Sequence, residues 1–205
     1  MQKSIKSVLV LIIFNILIQD VYCLDHSELY NLLKQKYSHL DKISFDYQNA
    51  ENKNFTGNLI AKSGNKYKIN LGNRIIYCDS KSVWNFSILD KNVIISNFNS
   101  LKSGSIENLF FDLINKYKSE KLSNINNSKG HSRYLLTLLP IKQDDKLFDK
   151  VELFLDQNNN INTVSIIKNY QKETWNIFNV KLNEKVDDIL FKFENKNNIE
   201  VIDLR

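Results

Sequence analysis

Between Phe55 and Asn97 the chain breaks into short segments in which polar and apolar residues alternate, and each break carries turn residues. The segments are NFTGNLIAK, KYKINL, RIIYC, SVWNFSI and NVIISNF, divided by Ser63-Gly64-Asn65, Gly72-Asn73, Asp79-Ser80-Lys81 and Asp90-Lys91. Alternation at a period of two, interrupted so often by Gly, Asn, Asp and Ser, predicts consecutive antiparallel hairpins. Tyr67, Ile69 and Leu71 share one parity, as do Ile75 and Tyr77 after the next turn, and Trp84 and Phe86 after the one following. The expectation is one apolar face carried by a meandering sheet. Such a face either packs a permanent core or lines a cavity for an apolar ligand.

The flanking segments extend this frame. In DHSELYNLLKQKYSHL, Asp25 and Glu28 fit a helix start, and Leu29, Leu32, Leu33, Tyr37 and Leu40 fall on one helical face. Ile43, Phe45 and Tyr47 then alternate with Ser44 and Asp46, which predicts a strand. In SIENLFFDLINKY the period changes: Ile106, Leu109, Phe110, Leu113, Ile114 and Tyr117 predict a second amphipathic helix, capped by Ser105. Strands resume at RYLLTLLP, KVELFLD, INTVSIIKNY and ETWNIFNVKLN, and the tail ILFKFENKNNIEVIDL ends in alternating apolar residues. The sum predicts one large antiparallel sheet with two helices. At 42% hydrophobic and 25% charged residues, the chain can bury a core of its own. One Pro and five Gly in 205 residues give no sign of a linker, so one domain over residues 24–205 is expected.

The N-terminus reads as a leader. Lys3 and Lys6 precede the apolar run Val8–Ile18, too short for a membrane span of ~20 residues and of the form of a secretory signal peptide. Cleavage after Cys23 is expected, with Val21 and Cys23 at the −3 and −1 positions and Leu24 as the new start. A lipid anchor on Cys23 is the weaker reading, because Tyr22 and Asp20 make a poor lipobox. If Cys23 is removed, Cys78 stands alone; if it stays, a Cys23–Cys78 bridge is open to an exported chain.

Several chemistries are excluded by pattern. His26, His39 and His131 do not fall at metal-ligand spacing. Gly130-His131-Ser132-Arg133-Tyr134 lacks the second Gly of a nucleophile elbow. Asp156, Asn158 and Asn160 begin like a calcium loop, but Ile161 stands at the Gly position and no Glu closes it. The pairs Asp144-Asp145 and Asp187-Asp188 are adjacent, and neighbours on a strand point to opposite faces. No enzymatic activity, metal or other cofactor is expected. The formal net charge of +5 is spread along strands and loops without stacking aromatics, so nucleic acid is not an expected partner.

The order of these elements resembles the LolA-like family of periplasmic lipoprotein carriers. The resemblance rests on Phe45-Asp46-Tyr47-Gln48, on Gly57, Leu59, Lys62 and Asn65 in the first hairpin, and on Asp79, Lys81 and Trp84 in the next turn and strand. It continues in the tail through Phe191, Phe193, Ile199, Val201, Ile202, Asp203 and Leu204. The family's hairpin Pro is Gly64 here, its Gly before the Trp is Ser80, and its tail Pro and Gly are replaced within Glu194–Asn198. Ser63 stands where the family often carries a lid-latching Arg.

The resemblance implies a single curved antiparallel sheet forming an incomplete β-barrel, with helices covering its concave face. It implies a monomeric carrier without catalytic activity. The carrier takes acyl chains of lipoproteins from an inner-membrane ABC transporter through the periplasm to an outer-membrane receptor. The expected cavity wall is Phe45, Tyr47, Leu59, Tyr67, Ile69, Leu71, Ile75, Tyr77, Trp84 and Phe86, and the expected lid is Ile106, Leu109, Phe110, Leu113 and Ile114. Two other readings stand beside it: an envelope sensor or protein-interaction module of the same fold, and a lipid-anchored lipoprotein acceptor.

Overall fold

The computed structural model describes residues 25–98, 116–125, 133–143, 146, 148–195 and 199–205. Helix α1 (His26–Ser38) leads into β1 (Lys42–Asn49). A meander follows: β2 (Thr56–Lys62), β3 (Lys66–Asn70), β4 (Arg74–Asp79), β5 (Ser82–Ser87) and β6 (Asn92–Asn97). A second meander runs through β7 (Tyr117–Asn124), β8 (Tyr134–Pro140), β9 (Lys150–Leu155), β10 (Ile161–Lys168) and β11 (Gln171–Leu182). A short 3₁₀ turn, Asp188–Phe191, leads to β12 (Glu200–Asp203).

The twelve strands of the described residues form one sheet in the order β12-β6-β5-β4-β3-β2-β1-β11-β10-β9-β8-β7, curved but not closed into a barrel. The two meanders meet at β1 and β11, where Tyr47 lies opposite Ile177 and Ile43 opposite Leu182. Every hairpin expected between Phe55 and Asn97 forms, and Gly64, Asn65, Gly72, Ser80 and Lys91 supply the positive φ their turns require.

Two elements depart from expectation. Tyr117, read as the last residue of the second helix, begins β7; YKSEKLSN carries too little apolar alternation to announce a strand. Strand β12 pairs with β6 in parallel, with Val201 opposite Val93, so the sheet is not wholly antiparallel. The return from β11 by way of the 3₁₀ turn delivers the tail to β6 in that direction.

The core lies on the side of the sheet that α1 covers, here called the helix face. Asp25 caps α1 by accepting from the His26 amide at 2.7 Å, and Leu29, Tyr30, Leu33 and Tyr37 point into the sheet. They join Ile43, Phe45, Leu59 and Ile69 from the first half and Leu136, Leu138, Val151, Leu153 and Val164 from the second. Gly57 is required by close approach. A Cβ there would stand 2.0 Å from the Asn70 carbonyl oxygen and 2.5 Å from the Tyr47 hydroxyl, which itself donates to Asn70 at 3.0 Å.

Candidate functional site

Cross-strand register decides which side chains share a face, because directly paired residues point the same way. Phe45 lies opposite Leu59, and Leu59 opposite Ile69. Tyr67, two residues before Ile69, and Tyr47, two after Phe45, point to the same side. These five expected wall residues are all buried on the helix face. Tyr47 meets Phe45 and Trp175 edge-on, with ring centroids 6.4 Å and 5.6 Å away. Leu71 has the same parity but sits past the end of β3 in the turn, 46% exposed.

The other four expected wall residues lie on the opposite side. Ile69 pairs with Ile76, while Tyr77 pairs with Lys68 and Ile75 with Asn70. Tyr77 then pairs with Trp84 and Ile75 with Phe86. Ile75, Tyr77, Trp84 and Phe86 therefore form a second apolar strip, on the outer face. The single face expected from Tyr67 to Phe86 is two faces, because the β3–β4 register switches odd for even numbering. Ile76, Cys78 and Val83 take the helix-face places instead. Cys78 is a buried thiol that donates to the Asn65 carbonyl at 3.2 Å, and Cys23 lies outside the described residues.

At Ile75, Tyr77 and Phe86 the outer strip is covered by the chain's own C-terminal segment. Phe193 meets Tyr77 edge-on and Phe86 at a tilt, with centroid distances of 6.0 Å and 5.4 Å. Asp188 ties the 3₁₀ turn to β2 and β3 by accepting from Lys62 at 2.8 Å and Lys66 at 2.5 Å. These two hydrogen-bonded ammonium groups hold its carboxyl down at about 2. A cavity of 410 Å³ remains between the segment and the strip, lined by Ile75, Tyr77, Phe86, Ile189, Phe193 and Ile199. Burial, with Glu194 nearby, raises the Tyr77 hydroxyl. Sequence reasoning named these aromatic residues but not their cover; the apolar positions in the tail were its only signal.

The helix face is covered by α1, which is fastened to the second half of the sheet. The Tyr30 hydroxyl donates to the Tyr117 carbonyl at 2.7 Å, His26 Nδ1 lies 3.1 Å from Ser119 Oγ, and Lys36 donates to Asn160 at 2.7 Å. Burial pushes the Tyr30 and Tyr37 hydroxyls up to about 12. Ser63 donates to Asp41 at 2.6 Å, joining the β2–β3 turn to the start of β1. The expected lid residues Ile106, Leu109, Phe110, Leu113 and Ile114 lie outside the described residues.

Chemically, the helix face offers aliphatic and aromatic surface with its hydroxyls turned to backbone acceptors. It suits burial of hydrocarbon. No group of three or more His, Cys, Asp or Glu able to hold a metal occurs among the described residues, and no described helix is long and apolar enough to cross a membrane.

Comparison with known proteins agrees with this architecture. No curated protein sequence matches. Among solved structures, an uncharacterised conserved protein of Thermus thermophilus is similar over 85% of this chain and 96% of its own, at 12% identity and a TM-score of 0.54. The Mycobacterium tuberculosis lipoprotein LppX is similar over 77% of this chain and 95% of its own, at 12% identity and a TM-score of 0.46. LprF of Mycobacterium bovis is similar over 79% and 94%, at 7% identity and a TM-score of 0.43. At such identities the Thermus likeness speaks to the fold. The family described as outer membrane lipoprotein carrier protein LolA matches residues 41–194, from the start of β1 to the Phe193 arm. The chain belongs to the LolA family of lipoprotein carrier proteins.

Proposed function

We propose that the protein carries lipoproteins by burying their acyl chains against the helix face of its sheet. The observation that supports this most directly is the continuity of that face. Large apolar side chains run from Ile69 through Leu59 and Phe45 to Ile177, Val164, Leu153 and Leu136 on an open sheet. Each methylene group kept from water stabilises a bound chain by ~0.8 kcal/mol. Apolar contacts of this kind grip by area and release without a specific bond to break, as transfer between partners requires.

In this reading the protein has no catalytic role and uses no cofactor. Residues 1–23 are a removable export signal, residues 24–205 form the carrier, and the chain works as a monomer in the periplasm. It receives cargo from an inner-membrane ABC transporter and gives it to an outer-membrane receptor. With Ser63 in place of a latching Arg, apolar packing holds the cover closed.

The test is native mass spectrometry of protein recovered from the envelope, with uptake of a naphthylamine dye by delipidated protein. Bound lipoprotein or lipid, and saturable dye uptake displaced by a diacylglyceryl peptide, are expected. Protein that is always empty and takes up no dye refutes the carrier role.

A further inference from the structure

The two ends of the sheet differ in a way the carrier role does not require. At one end lie the turns after β1, β3, β5, β8 and β10. Phe55, Leu71, Ile88, Leu89, Ile141 and Tyr170 project there, and all are exposed, Leu89 at 71% and Tyr170 completely. At the other end the turns Ser63-Gly64-Asn65, Asp79-Ser80-Lys81, Asp156–Asn160 and Asn183-Glu184 carry no exposed large apolar residue; Ile189 in the 3₁₀ turn and Leu204 after β12 are exposed toward that end, but singly and outside the hairpin turns. Isolated exposed apolar residues are ordinary, but six on successive turns at one end mark an interaction surface.

The charge on the same end indicates the partner. Lys53, Arg74, Lys91, Lys142 and Lys168 stand in or beside these turns, and none is ion-paired among the described residues. The acidic residues there, among the described residues, are Glu51, Asp90, Asp149, Glu173 and Glu200, of which Asp149 is neutralised by Lys146 at 2.7 Å. Separated apolar tips among unpaired cations match the boundary of a bilayer with anionic headgroups. Shallow insertion of each tip and attraction of each cation add up over the row.

We propose that this end of the sheet docks on the surface of an anionic phospholipid membrane, the tips of Phe55, Leu71, Leu89 and Tyr170 entering the headgroup layer. The strands then stand end-on to the bilayer and the open sheet presents its interior beside the lipid surface. Docking involves neither covalent chemistry nor opening of the helix face, so it is independent of whether acyl chains are the cargo.

The test uses the full chain with Cys23→Ser and a nitroxide at Leu89→Cys or, in a second sample, at Ser80→Cys on the polar end; Cys78 is buried and does not label. Protein-free vesicles of phosphatidylcholine and phosphatidylglycerol at 4:1 are added. The position-89 probe is expected to gain oxygen accessibility and lose accessibility to a water-soluble nickel chelate, while the position-80 probe does not change. Phe55→Ser with Tyr170→Ser should weaken the change at position 89 at least tenfold in lipid concentration, and Lys53→Glu with Lys91→Glu should weaken it more at low salt than at high. Because the readout is local, binding through the apolar N-terminal run cannot imitate it. A position-89 probe as water-accessible as the position-80 probe overturns the proposal, whether or not the chain sediments with vesicles. So does an immersion at position 89 that the Ser substitutions leave unaltered.

Discussion

Removing the Phe193 ring tests the division of the sheet into a helix face and a covered outer strip. Phe193 contacts two rings, Tyr77 at 6.0 Å with planes 67° apart and Phe86 at 5.4 Å with planes 43° apart. Such pairs contribute about 0.5–1.5 kcal/mol each beyond area burial. Both use one ring, so they do not add fully. Partial burial of the ring itself contributes about 1 kcal/mol. Phe193→Ala should therefore destabilise the fold by about 2–3 kcal/mol. For a chain of this size that lowers Tm by roughly 4–12 °C, measurable by calorimetry. Hydrogen exchange should show faster opening at Val201 and Ile202, whose strand is held behind the Phe193 contact. Dye uptake at 20 °C should be unchanged, since the ring faces away from Phe45 and Leu59. A Tm within 1 °C of the parent, or lost dye uptake in a folded variant, would refute the two-face account.

Two further perturbations follow from geometry. Asp188, with its folded pKa depressed to about 2, binds fewer protons in the folded than in the unfolded state. Its contribution is present above the ordinary carboxylate pKa of 3.8 and is lost as pH falls through that value toward 2. Asp188→Asn should flatten the stability profile between about pH 4 and 2 while lowering Tm at neutral pH; an identical acid limb in both proteins disproves this role. Gly57→Ala places a methyl group 2.0 Å from the Asn70 oxygen and against the Tyr47 ring. Overpacking of this kind costs about 3 kcal/mol or more, so urea denaturation should show a markedly lower midpoint, and an unchanged midpoint would mean that β2 and β3 shift freely.

The hairpins were legible because their turns carry Gly, Asn, Asp and Ser, and these residues adopt the positive φ expected of them at Gly64, Asn65, Gly72 and Ser80. Facing was not equally legible. β4 reads Ile75-Ile76-Tyr77-Cys78, apolar at both parities, so alternation cannot say which pair looks inward. It is apolar on both sides because both sides are covered, the inner by core and the outer by the Phe193 arm. That arm arrives more than a hundred residues later in the chain. Likewise β7, an edge strand with Lys118, Glu120 and Lys121 exposed, lacks the apolar alternation that revealed its neighbours. The inward facing of Phe45, Tyr47, Tyr67 and Ile69 was legible because β1 and β3 are polar on their other side; β2 is less one-sided, with Ile60 next to Leu59.

The pairing of β1 with β11 has a consequence for biogenesis. Ile43 finds its partner in Leu182, 139 positions later. The first meander can assemble as soon as it is made, yet it must wait with one edge bare until nearly the whole polypeptide is available. Closure of so long a loop is paid in chain entropy before any neighbouring contact rewards it. The waiting half presents β1, with Phe45 and Tyr47, as an adhesive border to other nascent chains. Holdase protection should therefore matter most for molecules truncated just before β11, which possess almost the entire sequence but no seam.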